Sequence, residues 1–172
     1  MVSSTSLSVP FLLVLLLCKM TPSFAITASE ITAICSSSRN PSFCLDFLKS
    51  DPRFASADLA GAAQIAIDVG HTEATDTLNF VQSLVQKTTD PKLQEIFKSC
   101  SSNYEEAVGV FEDAKQYLSS KDYSGAGFAV SAALDHAITC NDDSQGTDPS
   151  LPQRNENLKS LCSLILGITN RL

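Results

Sequence analysis

Cysteines, histidines and carboxylates are the side chains of this chain that could do chemistry. Four of the six cysteines form two pairs, each centred on a turn. Cys35 and Cys44 flank Ser38-Arg39-Asn40-Pro41. Cys100 and Cys140 have their midpoint at position 120, inside Leu118-Ser119-Ser120-Lys121-Asp122. Residues equidistant from the turn of an antiparallel helix pair face each other. The spacing therefore joins Cys35 to Cys44 and Cys100 to Cys140. Cys162 is left over and reads as a buried free thiol, with a bridge between chains as the alternative.

Catalytic and metal chemistry finds little to work with. There are two histidines, His71 and His136. His71 falls on a helical apolar seam, where a core or boundary role is the ordinary reading. His136 follows Asp135, and adjacent helical residues do not share a face. The same objection removes His71 with Glu73 as a metal pair. No Gly-x-Ser-x-Gly elbow, Cys-x-x-Cys, phosphate-cradling glycine loop or His-Glu-x-x-His helix is present. No catalytic residue, metal ligand or cofactor site is assigned, and the chain reads as a binding protein. A secreted helical enzyme with a dispersed site is the competing class.

The carboxylates are more informative. Asp135, Thr139 and Asp142 step by four and three, so they share one helix face. By the midpoint rule, Asp135 lies across from the Glu105-Glu106 region. Asp142 and Asp143 fall at a helix C-terminus, where the dipole disfavours negative charge. Two readings stay open: a surface kept for a partner, or the solvated face of an acidic protein.

The elements that position these groups follow from periodicity and turn chemistry. Ala60, Ala63, Ile67, His71, Ala74, Leu78, Val81 and Val85 recur at steps of three and four through a helix from about Asp58 to Lys87. From Pro91 to Ser119 the series is Leu93, Phe97, Cys100, Tyr104, Ala107, Phe111, Ala114 and Leu118. Near the C-terminus it is Leu158, Leu161, Ile165, Ile168 and Leu172. The segment from about Tyr123 to Asn141 is less regular, with Val130, Leu134 and Ala137 as its apolar face. Three Asp-Pro pairs, at 51, 90 and 148, punctuate the chain, and Asp90-Pro91 is the clearest helix start. Ser144 to Glu156, rich in Ser, Asp, Gly and Pro, reads as a mobile loop. The predicted class is all-α: an up-down-up-down four-helix bundle over 56–172, with an N-terminal helical hairpin extension over 26–55.

Residues 1–25 read as a signal peptide. The run from Val9 to Cys18 is apolar and too short to span a bilayer comfortably, and Ser23-Phe24-Ala25 offers a cleavage site. Cleavage there would remove Cys18 and Lys19. The 12 basic residues become 11, against 19 acidic ones, a formal charge of −8. That balance, with no Lys/Arg cluster, argues against nucleic acid as a partner. Five cysteines in an oxidising compartment mean two bridges and one spare thiol. The mature protein is expected to be secreted, without a membrane anchor, and monomeric before it meets a partner.

The chain resembles the plant pectin methylesterase inhibitors, within the superfamily that also holds the invertase inhibitors. The likeness spans the mature chain. It rests on Cys35 with Asn40-Pro41-Ser42-Phe43-Cys44, then Asp51-Pro52-Arg53, Asp90-Pro91-Lys92-Leu93 and Asp122-Tyr123. It continues through Ser131-Ala132-Ala133-Leu134-Asp135, Thr139-Cys140-Asn141-Asp142, Leu161-Cys162 and Ile168-Thr169-Asn170. The resemblance implies a non-covalent one-to-one complex that covers the substrate cleft of an apoplastic pectin methylesterase. It carries partner-binding roles onto Glu106, Asp135, Thr139 and Asp142. Ser102 departs from the pattern, since a glutamate can occupy that position. The alternative target is acid invertase, of cell wall or vacuole. Invertase inhibitors carry Pro-Lys-Phe between the second and third bundle helices, where this chain reads Lys121-Asp122-Tyr123-Ser124.

Overall fold

A computed structural model describes residues 25–172, so the proposed signal segment lies outside the described residues apart from Ala25. Two short helices come first, α1 (Ala28–Ser36) and α2 (Pro41–Ser50), followed by a 3-10 turn at Pro52–Ser56. Four longer helices follow: α3 (Leu59–Lys87), α4 (Pro91–Ser119), α5 (Tyr123–Asp143) and α6 (Leu151–Thr169). Successive long helices pack side by side, and α6 closes the ring against α3. The all-α bundle with a hairpin extension is therefore the observed architecture.

Side-chain caps set most of the boundaries. Asp90 Oδ1 accepts from the N–H groups of Lys92 (2.8 Å) and Leu93 (3.2 Å), with Pro91 in the first turn where no donor is needed. Asp58 caps α3 through Gly61 N–H at 2.8 Å, and Asp122 caps α5 through Gly125 N–H at 2.8 Å. Thr27 and Glu30 form a reciprocal capping box on α1. Asp51-Pro52 starts the 3-10 turn. Asp148-Pro149 behaves differently: Asp148 accepts from Ser150 N–H in the preceding turn, and α6 starts at Leu151 without a side-chain cap.

The α4 seam is buried from Phe97 through Leu118. On α3 a second row joins the expected one, since Ala66, Gly70 and Thr77 are buried beside Ala63, Ile67, Ala74 and Val81. Gly70 permits the closest approach: a Cβ there would lie 2.5 Å from Cε1 of the fully buried Phe111 on α4. Between α3, α4 and α6 the core is polar at one point. Tyr104 Oη donates to Asn155 Oδ1 at 2.7 Å, with both residues fully buried, and desolvation raises the phenol's pKa.

The C-terminal half of α6 is buried nearly all round because neighbours cover it on most sides. It packs on α3 and α5, and the hairpin lies over its outer side. Leu158, Leu161, Leu164, Ile165 and Ile168 are buried, each worth about 1.5–3 kcal/mol of transfer free energy. Two expectations fail here. Ser144–Glu156 is not a loop throughout: its second half is the first turn of α6, anchored by buried Leu151 and Asn155, and Pro152 is tolerated in a first turn. Leu172 is not on the seam; the helix ends at Thr169 and Leu172 is exposed.

The hairpin docks by a few specific contacts. Arg39 N–H donates to Ser163 Oγ at 2.8 Å, and Arg171 Nη2 donates to Ala33 O at 3.0 Å. Ile26, nearly buried, donates its N–H to Ala57 O at 2.8 Å and ties the entry of α1 to the exit of the 3-10 turn. Ile34 packs on α6 beside Gly167, where an added Cβ would meet Ile34 Cγ2 at 3.3 Å.

Candidate partner-binding face

The register of α4 on α5 governs this face. The connection is tight: Lys121 takes a left-handed conformation with φ 62°, and its N–H bonds back to Leu118 O. Three cross-links then share a midpoint near residue 120. Cys100 and Cys140 are joined with a Cα separation of 4.7 Å. Ser99 Oγ donates to Asp143 Oδ2 at 3.0 Å, and His136 Nδ1 lies 3.2 Å from Asn103 Oδ1. The equidistance rule that paired the cysteines holds for their neighbours too. The second bridge joins Cys35 to Cys44 at a Cα separation of 5.4 Å, leaving Cys162 free and buried. Burial pushes its thiol pKa well up, so it stays protonated and unreactive.

On the outer face of α5, Asp135, Thr139 and Asp142 are all exposed, as their spacing requires. Thr139 Oγ1 donates to Asp135 O at 2.9 Å, and Asp142 Oδ1 accepts from Asn141 Nδ2 at 3.3 Å. Asp143 turns aside to Ser99 on α4, so Asp142 alone of the two points along the stripe. Glu106 continues the α4 row that begins with Ser99 and Asn103, at steps of four and three. The carboxylates of Glu106 and Asp135 have no hydrogen-bond or salt-bridge partner among the described residues.

The structure divides the Glu105-Glu106 pair placed opposite Asp135. Glu105 turns the other way, toward α3, where its Oε1 accepts from Gln82 Nε2 at 3.4 Å. It lines a shallow α3–α4 groove with Gln82, Val85, Gln86, Lys98, Ser101 and Ser102. One step of 100° separates neighbouring helical residues, so two adjacent glutamates serve two different grooves. Ser102 sits in that groove and not on the α5 side.

One residue of the face escaped the sequence reading. Phe128 lies on α5 with 79% of its surface exposed. Counting from it, Phe128, Ala132, Asp135, Thr139 and Asp142 step by four, three, four and three. The stripe therefore begins with a bare aromatic ring and ends in carboxylates. The spacing to Asp135 was the signal available; the reading of α5 followed its apolar face instead. That apolar face is also smaller in side chain than expected: Ala126, Ala129, Val130, Ala133 and Ala137 are buried, and Leu134 sits half-buried at its edge.

Both histidines lie between helices, and the buried Nε2 of His71 has no hydrogen-bond partner among the described residues. His71 Nε2 lies 3.6 Å from Glu112 Oε1 at the α3–α4 boundary, and His136 meets Asn103. The described residues contain no group of three His, Cys, Asp or Glu side chains that could hold a metal ion. No helix among them is long and apolar enough to cross a membrane.

The model of the plant invertase/pectin methylesterase inhibitor family matches residues 29–168. The chain belongs to that family. The chain is 41% identical over 176 residues to a pectinesterase inhibitor of Actinidia deliciosa, covering 98% of this chain and 95% of that one. It is also similar to a crystal structure of a mutant form of a pectin methylesterase inhibitor from Arabidopsis, with a TM-score of 0.78 and 40% identity over 83% of this chain and 97% of that one. A cell wall/vacuolar inhibitor of fructosidase from Arabidopsis thaliana stands further off, at 30% identity over 85% of this chain and 84% of that one. The family is one of inhibitor proteins, and this chain is an inhibitor of that kind rather than an enzyme.

Proposed function

We propose that this chain inhibits plant pectin methylesterase by a non-covalent one-to-one complex that blocks the pectin-binding cleft. The observation that carries the reading is the α5 stripe from Phe128 to Asp142, with Phe128, Asp135, Thr139 and Asp142 exposed and the helix held in register by the Cys100–Cys140 bridge. Phe128 supplies an apolar anchor of the kind that dominates contact energies. Glu106, Asp135, Thr139 and Asp142 supply a polar and anionic surround, which calls for basic or hydrogen-bond-donating groups on the enzyme. The 41% identity to a pectinesterase inhibitor selects the target.

The same reading makes residues 1–25 a secretory signal and 26–172 the inhibitory domain, with 26–55 as its hairpin and 56–172 as its bundle. It places the mature protein in the apoplast, monomeric until it binds.

Inhibition of invertase is the second reading. The turn at Lys121 weighs against it. The stretch Lys121-Asp122-Tyr123-Ser124 there lacks the Pro-Lys-Phe segment that the resemblance gives to invertase inhibitors.

The deciding assay is methanol release from methylated pectin by plant pectin methylesterase isoforms, with sucrose hydrolysis by acid invertase run beside it. The expected result is loss of methanol release near one equivalent of inhibitor, with sucrose hydrolysis untouched. Phe128→Ala should weaken inhibition about 10- to 100-fold, in the range of a buried aromatic anchor. Asp142→Asn with Glu106→Gln should weaken it less. No effect on several isoforms sinks the proposal, and loss of sucrose hydrolysis alone transfers it to invertase.

A further inference from the structure

The hairpin leaves a cleft where its turn meets α6. Ser37, Arg39, Leu134, Ser163, Leu166, Gly167, Asn170 and Arg171 line it, around about 490 Å³. Its charge is opposite to that of the molecule. No carboxylate lines it, although the chain carries 19 acidic residues against 12 basic ones.

Arginine use sharpens the contrast. There are four arginines. Arg53 is forked onto Asp51, with Nε to Oδ2 at 2.9 Å, and Arg154 lies 4.4 Å over the Phe80 ring. The other two both line this cleft. Arg171 spends two of its five N–H donors on the carbonyls of Gly167 and Ala33, which fixes its guanidinium at the rim. Arg39 is held at its backbone by Ser163. Its guanidinium has one carboxylate within 4 Å, Glu156 at 3.7 Å on the exposed edge, and Glu156 is itself bonded to Lys159. The fixed guanidinium of Arg171 and the half-exposed one of Arg39, both with spare donors, match carboxylate geometry. Leu134 and Leu166 offer an apolar floor, and Ser37, Ser163 and Asn170 offer hydroxyl and amide groups around it.

We propose that this cleft binds an acidic oligosaccharide, with uronate carboxylates on Arg39 and Arg171, sugar hydroxyls on the serines and Asn170, and a pyranose C–H face on Leu134 and Leu166. The site follows from the cleft alone; the choice of a galacturonate among uronates rests on the proposed function, because removing methyl esters from pectin exposes that carboxylate. The acidic remainder of the protein does not cancel the site, since exposed charges beyond about 8 Å are screened at physiological salt. The cleft opens on the α6 side of α5, past Leu134, while the stripe from Phe128 to Asp142 faces outward, its Asp135 one helical step of 100° from Leu134. Saccharide and enzyme can therefore be held at once.

The test is calorimetric titration of the disulfide-bonded protein with trigalacturonate, its methyl ester and inorganic phosphate. Trigalacturonate should bind with a Kd in the millimolar range or tighter, and the methyl ester at least tenfold more weakly. Arg39→Gln should lower trigalacturonate affinity about tenfold without changing Tm, since an exposed pair of this length contributes little to stability. Arg39→Lys should recover part of the loss. Phosphate should not displace the sugar. No heat up to 10 mM trigalacturonate, equal binding of the ester, an unaffected Arg39→Gln, or displacement by phosphate each overturns the proposal. No enzyme is present in the titration, so its result and that of the methanol assay stand or fall separately.

Discussion

The hairpin and the α4–α5 pair are built to one plan with different material. Each is an antiparallel helix pair, closed by a disulfide between residues equidistant from its turn. The hairpin helices have 9 and 10 residues, too short to persist alone in water. Their buried side chains are Ile34, Cys35, Cys44 and Leu48, and the hairpin's cover comes from α6. Helices α4 and α5 have 29 and 21 residues; α4 buries Phe97, Tyr104, Phe111 and Leu118, and α5 buries a row of alanines with Val130. In the hairpin the bridge stands in for a core. In the bundle it locks a register that packing has already chosen.

Removing the bridges tests this contrast most directly. Cys100→Ala with Cys140→Ala should lower the free energy of unfolding by about 4 kcal/mol in the loop-entropy account, read from chemical denaturation. It should also weaken pectin methylesterase inhibition, because the stripe loses its frame. A denaturation midpoint equal to the parent's would mean packing alone sets the register. Cys35→Ala with Cys44→Ala should cost about 2.5 kcal/mol, for the shorter loop. Here hydrogen exchange is the better readout: amides of 28–50 should lose protection while those of α3 to α6 keep theirs. Equal loss in both would show that the hairpin is not a separate unit.

Gly70→Ala probes the bundle without touching either bridge. The added Cβ would sit 2.5 Å from the Phe111 ring, which is fully buried and cannot swing away. The expected cost is about 2 kcal/mol, shared by all four long helices and absent from the hairpin's local opening. Undiminished stability would place slack between α3 and α4 that their packing does not suggest.

The smallest effect lies at the join between the two regions. Lys159, almost fully buried, bonds Glu156, which also faces Arg39 of the hairpin turn. Bonding to Lys159 holds the Glu156 carboxyl below its ordinary 4.5. A lowered folded-state pKa adds stability that is fully present above the unfolded value of 4.5. That stability is lost as pH falls through the folded value. Glu156→Gln should therefore remove part of the acid-side decline in Tm below about pH 4.5, and lower Tm modestly at pH 7 by leaving Lys159 without its carboxylate. An identical acid-side profile in the variant would show that the ionised Glu156 adds nothing to stability at this join.

Much of the fold was legible in residues alone because helices of this length advertise themselves. The α4 seam needs no tertiary information: steps of three and four from Phe97 to Leu118 define its buried face, and Asp90-Pro91 marks its start. The bridges were legible because a chain that reverses at a known point has a predictable register. Errors came where identity depends on rotation about a helix or on what covers it. Glu105 and Glu106 are adjacent in sequence, and only the packing of three helices assigns one to the α3 groove and the other to the α5 side. Leu151 to Glu156 looked like a loop by composition, yet burial of Leu151 and Asn155 makes it a helix start. Phe128 has no role in the sequence pattern; only closure of the bundle on the opposite face of α5 leaves its ring in water.

By itself, then, the sequence determined that the chain is helical, where the turns lie, which cysteines meet and that Asp135, Thr139 and Asp142 share a side. These depend on local periodicity and on distance along the chain from a turn. Tertiary structure decided which acidic residues face outward together, that an exposed aromatic heads their stripe, and that two arginines 132 positions apart line one cleft. Those depend on which surfaces neighbouring helices bury, a relation between distant segments that no local pattern encodes.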